Sequence, residues 1–223
     1  MDLNEIHVLV IDDEEFMRGM VLRFLEMMGI SKVTEATDGA DGLTKLMNIQ
    51  LDLIVLDIMM KPMNGLKFLK TVRIGMSDAK RDVPVIVLTG SDEQSVLGTS
   101  MALDCNAFVS KTESLDILKS RIMRVLEGPL EIKKTAEYQS VEVPEIINTA
   151  RPPDQPQDSA PSPTTATEVP IEEVEEGAVV ARDVMTEDGY ILLAAGTAMS
   201  PSYLSRLCDI SEIIELPSIW IEK

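Results

Sequence analysis

Leu53-Ile54-Val55-Leu56-Asp57 is a run of four apolar residues closed by a carboxylate. Val85-Ile86-Val87-Leu88-Thr89 repeats the pattern with a hydroxyl in the last place. Short unbroken apolar runs rich in β-branched residues suit strands buried on both faces, the situation of a parallel sheet between helical layers. Three further runs belong with them: Ile6 to Ile11, Lys32 to Ala36 and Ala107 to Val109. Stretches with helical spacing lie between. Met17, Met20, Val21, Phe24 and Met28 mark one face, Leu43, Leu46 and Met47 a second, and Leu66, Leu69 and Val72 a third. Val96, Leu97 and Ala102 suggest a fourth, and Leu115, Leu118, Ile122 and Val125 a fifth. Strand and helix alternating in this way predict an α/β fold: a doubly wound sheet of five parallel strands, covered by helices on both sides.

In an open parallel sheet the functional crevice lies beyond the carboxyl ends of the strands. Asp12 and Asp13 follow the first run, Asp57 ends the third, Thr89 ends the fourth and Lys111 follows the fifth. Taken singly, Asp12-Asp13 would pass for a helix cap, and Thr89 and Lys111 for surface residues. Together they bring three carboxylates, a hydroxyl and an ammonium to one rim. Clustered carboxylates repel unless a cation shares the site, and all-oxygen ligands suit Mg²⁺. A carboxylate so placed can act as a nucleophile toward phosphorus, while the metal and the lysine offset charge on the moving oxygens.

With these residues in view, positions 1–128 resemble the receiver domain of two-component response regulators. The matching residues are Asp12-Asp13-Glu14, Asp57, the loop from Met60 to Gly65, Thr89-Gly90, Phe108 and Lys111. The resemblance implies a flavodoxin-like sheet of order 2-1-3-4-5. It implies phosphoryl acceptance on Asp57 from a histidine kinase or phosphotransfer protein. It assigns Mg²⁺ to Asp12, Asp13, Asp57 and the backbone carbonyl of Met59, phosphoryl contact to Lys111, and a coupled switch to Thr89 and Phe108. Met59 and Ser91, which flank the path of attacking water in that family, offer no water-orienting acid or amide, so slow phosphoryl loss is expected. Two positions depart from the family pattern. Proline stands at Pro62, one place late, and Lys111 is followed by Thr112 rather than proline. A cis bond without proline costs about 3–4 kcal/mol, so Lys111–Thr112 is expected to be trans.

Residues 129–170 hold 8 of the 12 prolines. Arg151 to Thr165 has little to bury and reads as an extended acidic linker without fixed structure. Leu130 to Ile147 leaves two readings open, docked on the first domain or loose. Residues 171–223 regain order. Val179-Val180-Ala181, Tyr190 to Leu193, Ile213-Ile214 and Ile219-Trp220-Ile221 read as strands, with a turn at Asp188-Gly189. Ser200-Pro201 looks like a helix start, with Tyr203, Leu204 and Leu207 inward. This stretch resembles small β-rich modules that accompany receiver and HD-type signalling domains. About fifty residues make a marginal core, so the α+β module is expected to need a partner surface or to form a homodimer.

The whole chain has 223 residues, 45% of them hydrophobic, and a net charge of -18. Residues 129–223 carry 18 acidic against 6 basic side chains, a net of -12 that phosphate backbones would repel. Nucleic-acid binding is therefore not expected, and the helix after Pro201 carries only Arg206 as a base. No apolar run is long enough for a membrane span, the start is acidic, and two cysteines make no disulfide framework, so a cytoplasmic protein is expected. A lone histidine, His7, leaves no second histidine for a phosphorelay or HD-type site. The leading reading is a non-enzymatic response regulator whose output is contact with a downstream protein. The alternative is a phosphohydrolase with an aspartyl nucleophile, which would want an acid at Met59.

Overall fold

The computed structural model describes residues 2–47, 49–90, 94–128, 132–144, 166–186 and 189–222. The chain divides into two compact units, Met1–Ser91 with Leu103–Ile146 and Asp92–Ala102 with Ile147–Lys223.

The first unit is built on five parallel strands, β1 (His7–Ile11), β2 (Lys32–Ala36), β3 (Leu53–Asp57), β4 (Val85–Thr89) and β5 (Ala107–Ser110), in the order β2-β1-β3-β4-β5. The five apolar runs are these strands to within one residue at either end, and the order is the one expected. On one face, Val8, Val10, Leu53, Val55, Ile86 and Leu88 pack with Val21, Phe24 and Leu25 of α1 (Glu15–Met27) and Leu118, Ile122 and Val125 of α5 (Leu115–Glu127). The alternate residues Leu9, Ile11, Ile54 and Leu56 are also fully buried. On that second face lie α2 (Gly39–Leu46) and α3 (Gly65–Arg73), so close that a Cβ on Gly42 would stand 2.7 Å from Ile11 Cδ1. Double burial is the physical reason the strands read as unbroken apolar runs rather than alternating ones.

Three expected inward residues are exposed: Met20, Met47 and Leu115. The buried stripe of α1 runs along Val21, Phe24 and Leu25. Met20 lies about 100° round the helix from Val21, too far to share that stripe.

The first unit continues past α5. A short helix, α6 (Thr135–Ser140), packs on α3. Tyr138 is fully buried, and its hydroxyl donates to Asp104 Oδ2 at 2.8 Å while accepting from the Lys133 N–H at 2.7 Å. Burial and the Asp104 charge push this phenol well above the usual tyrosine range. Lys133 Nζ lies 3.3 Å from Asp104 Oδ1, and Lys70 Nζ donates to the Gln139 and Val141 carbonyls. Beneath this strap sits Arg73, which is fully buried. Its guanidinium donates to the carbonyls of Leu103, Arg81, Val83 and Asp104 and to Asn106 Oδ1. Of the two readings left open for Leu130 to Ile147, the docked one holds for Lys133 to Val141. Residues 145–165, the centre of the expected linker, lie outside the described residues.

The second unit contains α4 (Gln94–Ala102) and four short strands. β6 (Ala166–Val169) pairs antiparallel with β9 (Ile219–Glu222), and β7 (Val184–Met185) with β8 (Ile191–Leu193). Between β8 and β9 lies α7 (Pro201–Ser211), whose first turn is capped by the Ser200 hydroxyl accepting from the Tyr203 N–H. Leu207 and Ile210 carry its buried side, with Tyr203 and Leu204 half-buried. Two expected strands are absent. Val179 and Val180 make only single bridges, to Ala198 and Ile221, because the chain bends at Ala181–Arg182. Ile213 and Ile214 donate back to the Ile210 carbonyl and finish the helix instead. Asp188 of the expected turn lies outside the described residues. Among the described residues, no helix is long and apolar enough to cross a membrane.

Candidate functional site

Parallel register fixes the site before any side chain is considered. Ile11 pairs with Leu56, so the next residues, Asp12 and Asp57, leave neighbouring strands side by side. Asp57 pairs with Leu88, and Thr89 pairs with Ser110, so Thr89 and Lys111 continue the same rim one strand further on. The rim lies at the β1/β3 switch point, where chain connections diverge to opposite sides of the sheet and leave a crevice.

The carboxylates gather there. Asp12, Asp13 and Asp57 each offer an oxygen within 4.8 Å of the others. Asp12 and Asp57 are buried and Asp13 is exposed. Lys111 Nζ lies 2.9 Å from Asp12 Oδ2, 3.2 Å from Asp57 Oδ2 and 3.8 Å from Glu14 Oε1. Its own N–H donates to the Thr89 carbonyl at 2.7 Å, which ties the lysine backbone to the end of β4. Among the described residues the cis peptide bond is Lys61–Pro62; Lys111–Thr112 is trans, as expected. Thr89 and Phe108 are both buried. Met59 donates its N–H to Asp57 Oδ1 at 3.4 Å. Ser91 lies outside the described residues.

Supporting contacts hold the acidic pair in place. Glu14 N–H donates to Asp12 Oδ1 at 2.8 Å, and Arg18 Nη1 donates to the Asp12 carbonyl at 2.9 Å while Nε pairs with Glu35. Arg18 is a site-bracing residue that sequence reading missed. Its spacing, six residues beyond Asp12 on the first turn of α1, was the available signal. Gly65 is the other. Its N–H donates to the Ile58 carbonyl at 3.0 Å, and a Cβ there would collide with the Asp57 carbonyl oxygen. The loop from Met60 to Gly65 therefore closes directly against the backbone that carries Asp57.

The charges are unevenly balanced. Burial pushes the Asp57 carboxyl above its ordinary 3.8; Lys111 pulls it down, but Asp12 pushes it up again. Burial alone would lower Lys111, but its hydrogen bond to Asp12 and the charges of Asp57 and Asp12 outweigh that and hold it above 10.5. The lysine thus draws on two carboxylates, while Asp57 shares one ammonium with Asp12. Three oxygen donors with a surplus of negative charge, one side open at Asp13, fit a small hard cation such as Mg²⁺.

A pH dependence follows. A carboxyl raised by folding favours the fold in acid, and that advantage is lost as pH rises through its folded pKa. In metal-free protein the Asp57 charge therefore weighs increasingly against the fold as pH rises from 3.8 through the raised folded pKa. Mg²⁺ should relieve it. The gain in melting temperature on adding Mg²⁺ is expected to be largest near neutrality. It should fade on acidification at a higher pH than an exposed aspartate would require. Scanning calorimetry with and without Mg²⁺ across that range checks this; a pH-independent increment contradicts it.

Comparison with known proteins bears on the same residues. Residues 8–123 match the family described as response regulator receiver domain. Response regulator RR06 of Streptococcus pneumoniae is 33% identical over 138 residues, 62% of this chain and 61% of that protein. The probable C4-dicarboxylate response regulator DctR of Halalkalibacterium halodurans is 27% identical over 143 residues, 64% of this chain and 60% of that protein. The chain thus spans about three-fifths of the length of these relatives. A CheY-like receiver domain protein from Methanospirillum hungatei shares the fold, at 22% identity and a TM-score of 0.50, covering 55% of this chain and 94% of that one. Chemotaxis protein CheY4 of Vibrio cholerae is 28% identical with a TM-score of 0.49, covering 54% and 98%.

Proposed function

Since this chain belongs to the family of response regulator receiver domains, we propose that Asp57 is its phosphoacceptor and that the signal leaves through contact with another protein. The carrying observation is the Lys111 ammonium set between Asp12 and Asp57 at the open end of the sheet. Asp12, Asp13 and Asp57, with the Met59 carbonyl, would hold Mg²⁺, which supplies charge neutralisation for the transferring oxygens. A carboxylate oxygen of Asp57 attacks phosphorus, and the P–N bond of a phosphohistidine on a histidine kinase or phosphotransfer protein breaks. The imidazole nitrogen keeps the bonding pair and takes a proton from solvent. Lys111, already protonated, faces the new phosphoryl oxygens and loses no proton in the step. The Thr89 hydroxyl and Phe108 then form the switch.

The domain reading of a receiver at 1–128, a linker at 129–170 and a module at 171–223, in a cytoplasmic protein, is amended at two places: Lys133–Val141 go with the receiver, and Ala166–Val169 go with the module. Two observations support protein contact over DNA binding. Residues 129–223 carry a net charge of -12, and Arg206, the base on α7, is buried against the Tyr203 ring. A buried guanidinium offers no grip on phosphates. Met59 also supplies no second acid for turnover, which favours a lasting aspartyl phosphate over a phosphohydrolase cycle.

The test is direct. Full-length protein incubated with a small phosphoramidate and Mg²⁺ is expected to gain one phosphoryl group by intact mass, and Asp57→Asn to gain none. Equal labelling of the two would move the acceptor elsewhere.

A further inference from the structure

The corner between β2 and α2 touches both banks of the acidic rim. The Asp12 N–H donates to the Ala36 carbonyl at 3.2 Å, and the Gly39 N–H donates to the Met63 carbonyl at 3.0 Å. The corner is braced by its own side chains. Asp38 Oδ1 accepts from the N–H groups of Ala40 and Asp41, and Asp41 Oδ2 accepts from the Thr37 N–H. One turn on, α2 lies hard against the sheet, since a Cβ at Gly42 would stand 2.7 Å from Ile11 Cδ1 and 3.0 Å from Phe68 Cε2.

Gly39 itself is buried. A Cβ there would stand 2.7 Å from Met63 Cγ and 3.0 Å from both Met63 Sδ and the Met63 carbonyl oxygen. Its φ lies outside the left-handed region, so the backbone does not call for glycine. The missing side chain is instead the room that Met63 occupies.

Between Asp57 and Met63 stands the carbonyl of Met59. The Met60 N–H donates to the Ile58 carbonyl at 3.0 Å, a three-residue turn centred on Met59, and the Gly65 N–H donates to the same oxygen. The loop is thus held at its root by Ile58 and on its far side by Gly39. Asp12, Asp13 and Asp57 are side-chain ligands, which can rotate to meet an ion. A backbone carbonyl has no such freedom and is placed by its loop alone.

We propose that Gly39 and Met63 are positioning residues for Mg²⁺: by holding the Met63 carbonyl, the β2–α2 corner sets the Met59 carbonyl for the metal. The inference rests on Asp12, Asp13, Asp57 and the Met59 carbonyl being the ligand set. Loss of a group that orients a metal ligand costs about 10–100-fold in affinity.

Calorimetric titration of the full chain with Mg²⁺ tests this, with melting in EDTA to follow the metal-free fold. Gly39→Ala should raise the Mg²⁺ Kd about tenfold or more. Its metal-free melting temperature should stay within about 3 °C of wild type. Adding Met63→Ala removes Cγ and Sδ from the path of the new methyl group and should restore most of the lost affinity. An unchanged Kd in Gly39→Ala would overturn the positioning role, as would a loss that Met63→Ala leaves unrepaired. A larger fall in metal-free melting would make the contact a determinant of the fold and overturn it too. In all three cases the ligand set stands, provided that wild type binds Mg²⁺. If wild type binds none, the ligand set fails and this inference with it.

Discussion

Gly65→Ala is expected to cost the fold about 4 kcal/mol or more and to abolish Mg²⁺ binding. Gly65 opens α3 directly after Asn64, whose side chain caps the helix by accepting from the Lys67 N–H. At such a place alanine would ordinarily gain about 0.5–1 kcal/mol over glycine. Here the added Cβ would meet the Asp57 carbonyl oxygen, with Ile58 Cα at 2.9 Å and Asp57 C at 3.0 Å. All are backbone atoms, so no rotamer change relieves the clash. Either α3 lifts from the sheet or the end of β3 moves, and the second displaces the Asp57 carboxylate from Lys111. Urea unfolding and a Mg²⁺ titration of the variant measure the two losses. Wild-type stability would show that the loop yields freely and that its closure against Asp57 is unimportant.

Arg73→Met should destabilise by about 3–5 kcal/mol. Methionine fills much of the same volume, so the loss is one of polar pairing rather than of packing. Four carbonyls would be left without this donor, while the Asn106 amide oxygen keeps the Val85 N–H. Each such group costs about 1–3 kcal/mol when desolvated and unpaired, less whatever water can enter to satisfy. The denaturation midpoint should fall with little change in slope. A loss below about 1 kcal/mol would mean that the carbonyls find other partners and that the guanidinium is dispensable.

These residues mark the border of what the chain discloses before folding. Four of the five strands were legible because burial on both faces leaves an unbroken apolar run, and Leu53 to Leu56 reads the same from either side; β2, at the sheet edge, is only partly buried. Asp12, Asp57, Thr89 and Lys111 were legible because each stands at the end of such a run, and strand ends converge. Arg73 was not. In the last turn of α3, next to Ile74 and Gly75, it reads as an ordinary helix-end base. Only the arrival of Leu103–Asp104 and Arg81–Val83 around it makes it an interior residue. Tyr138 was hidden for a similar reason, since its partner Asp104 lies 34 positions earlier. The smaller module was misread at Val179–Val180 and Ile213–Ile214, where short β-branched pairs look alike in a strand, a bridge or a helix end. Met20 and Met47 show the reverse error, apolar residues at helical spacing on a face that meets water.

The strap from Lys133 to Val141 also decides where the receiver can be cut. Trimming at Gly128, where α5 ends, would deprive Asp104 of both the ammonium and the hydroxyl facing it, and would uncover the roof over Arg73. The smallest self-sufficient fragment therefore ends no earlier than Val141, and a shorter piece would understate the receiver's resistance to heat and proteolysis.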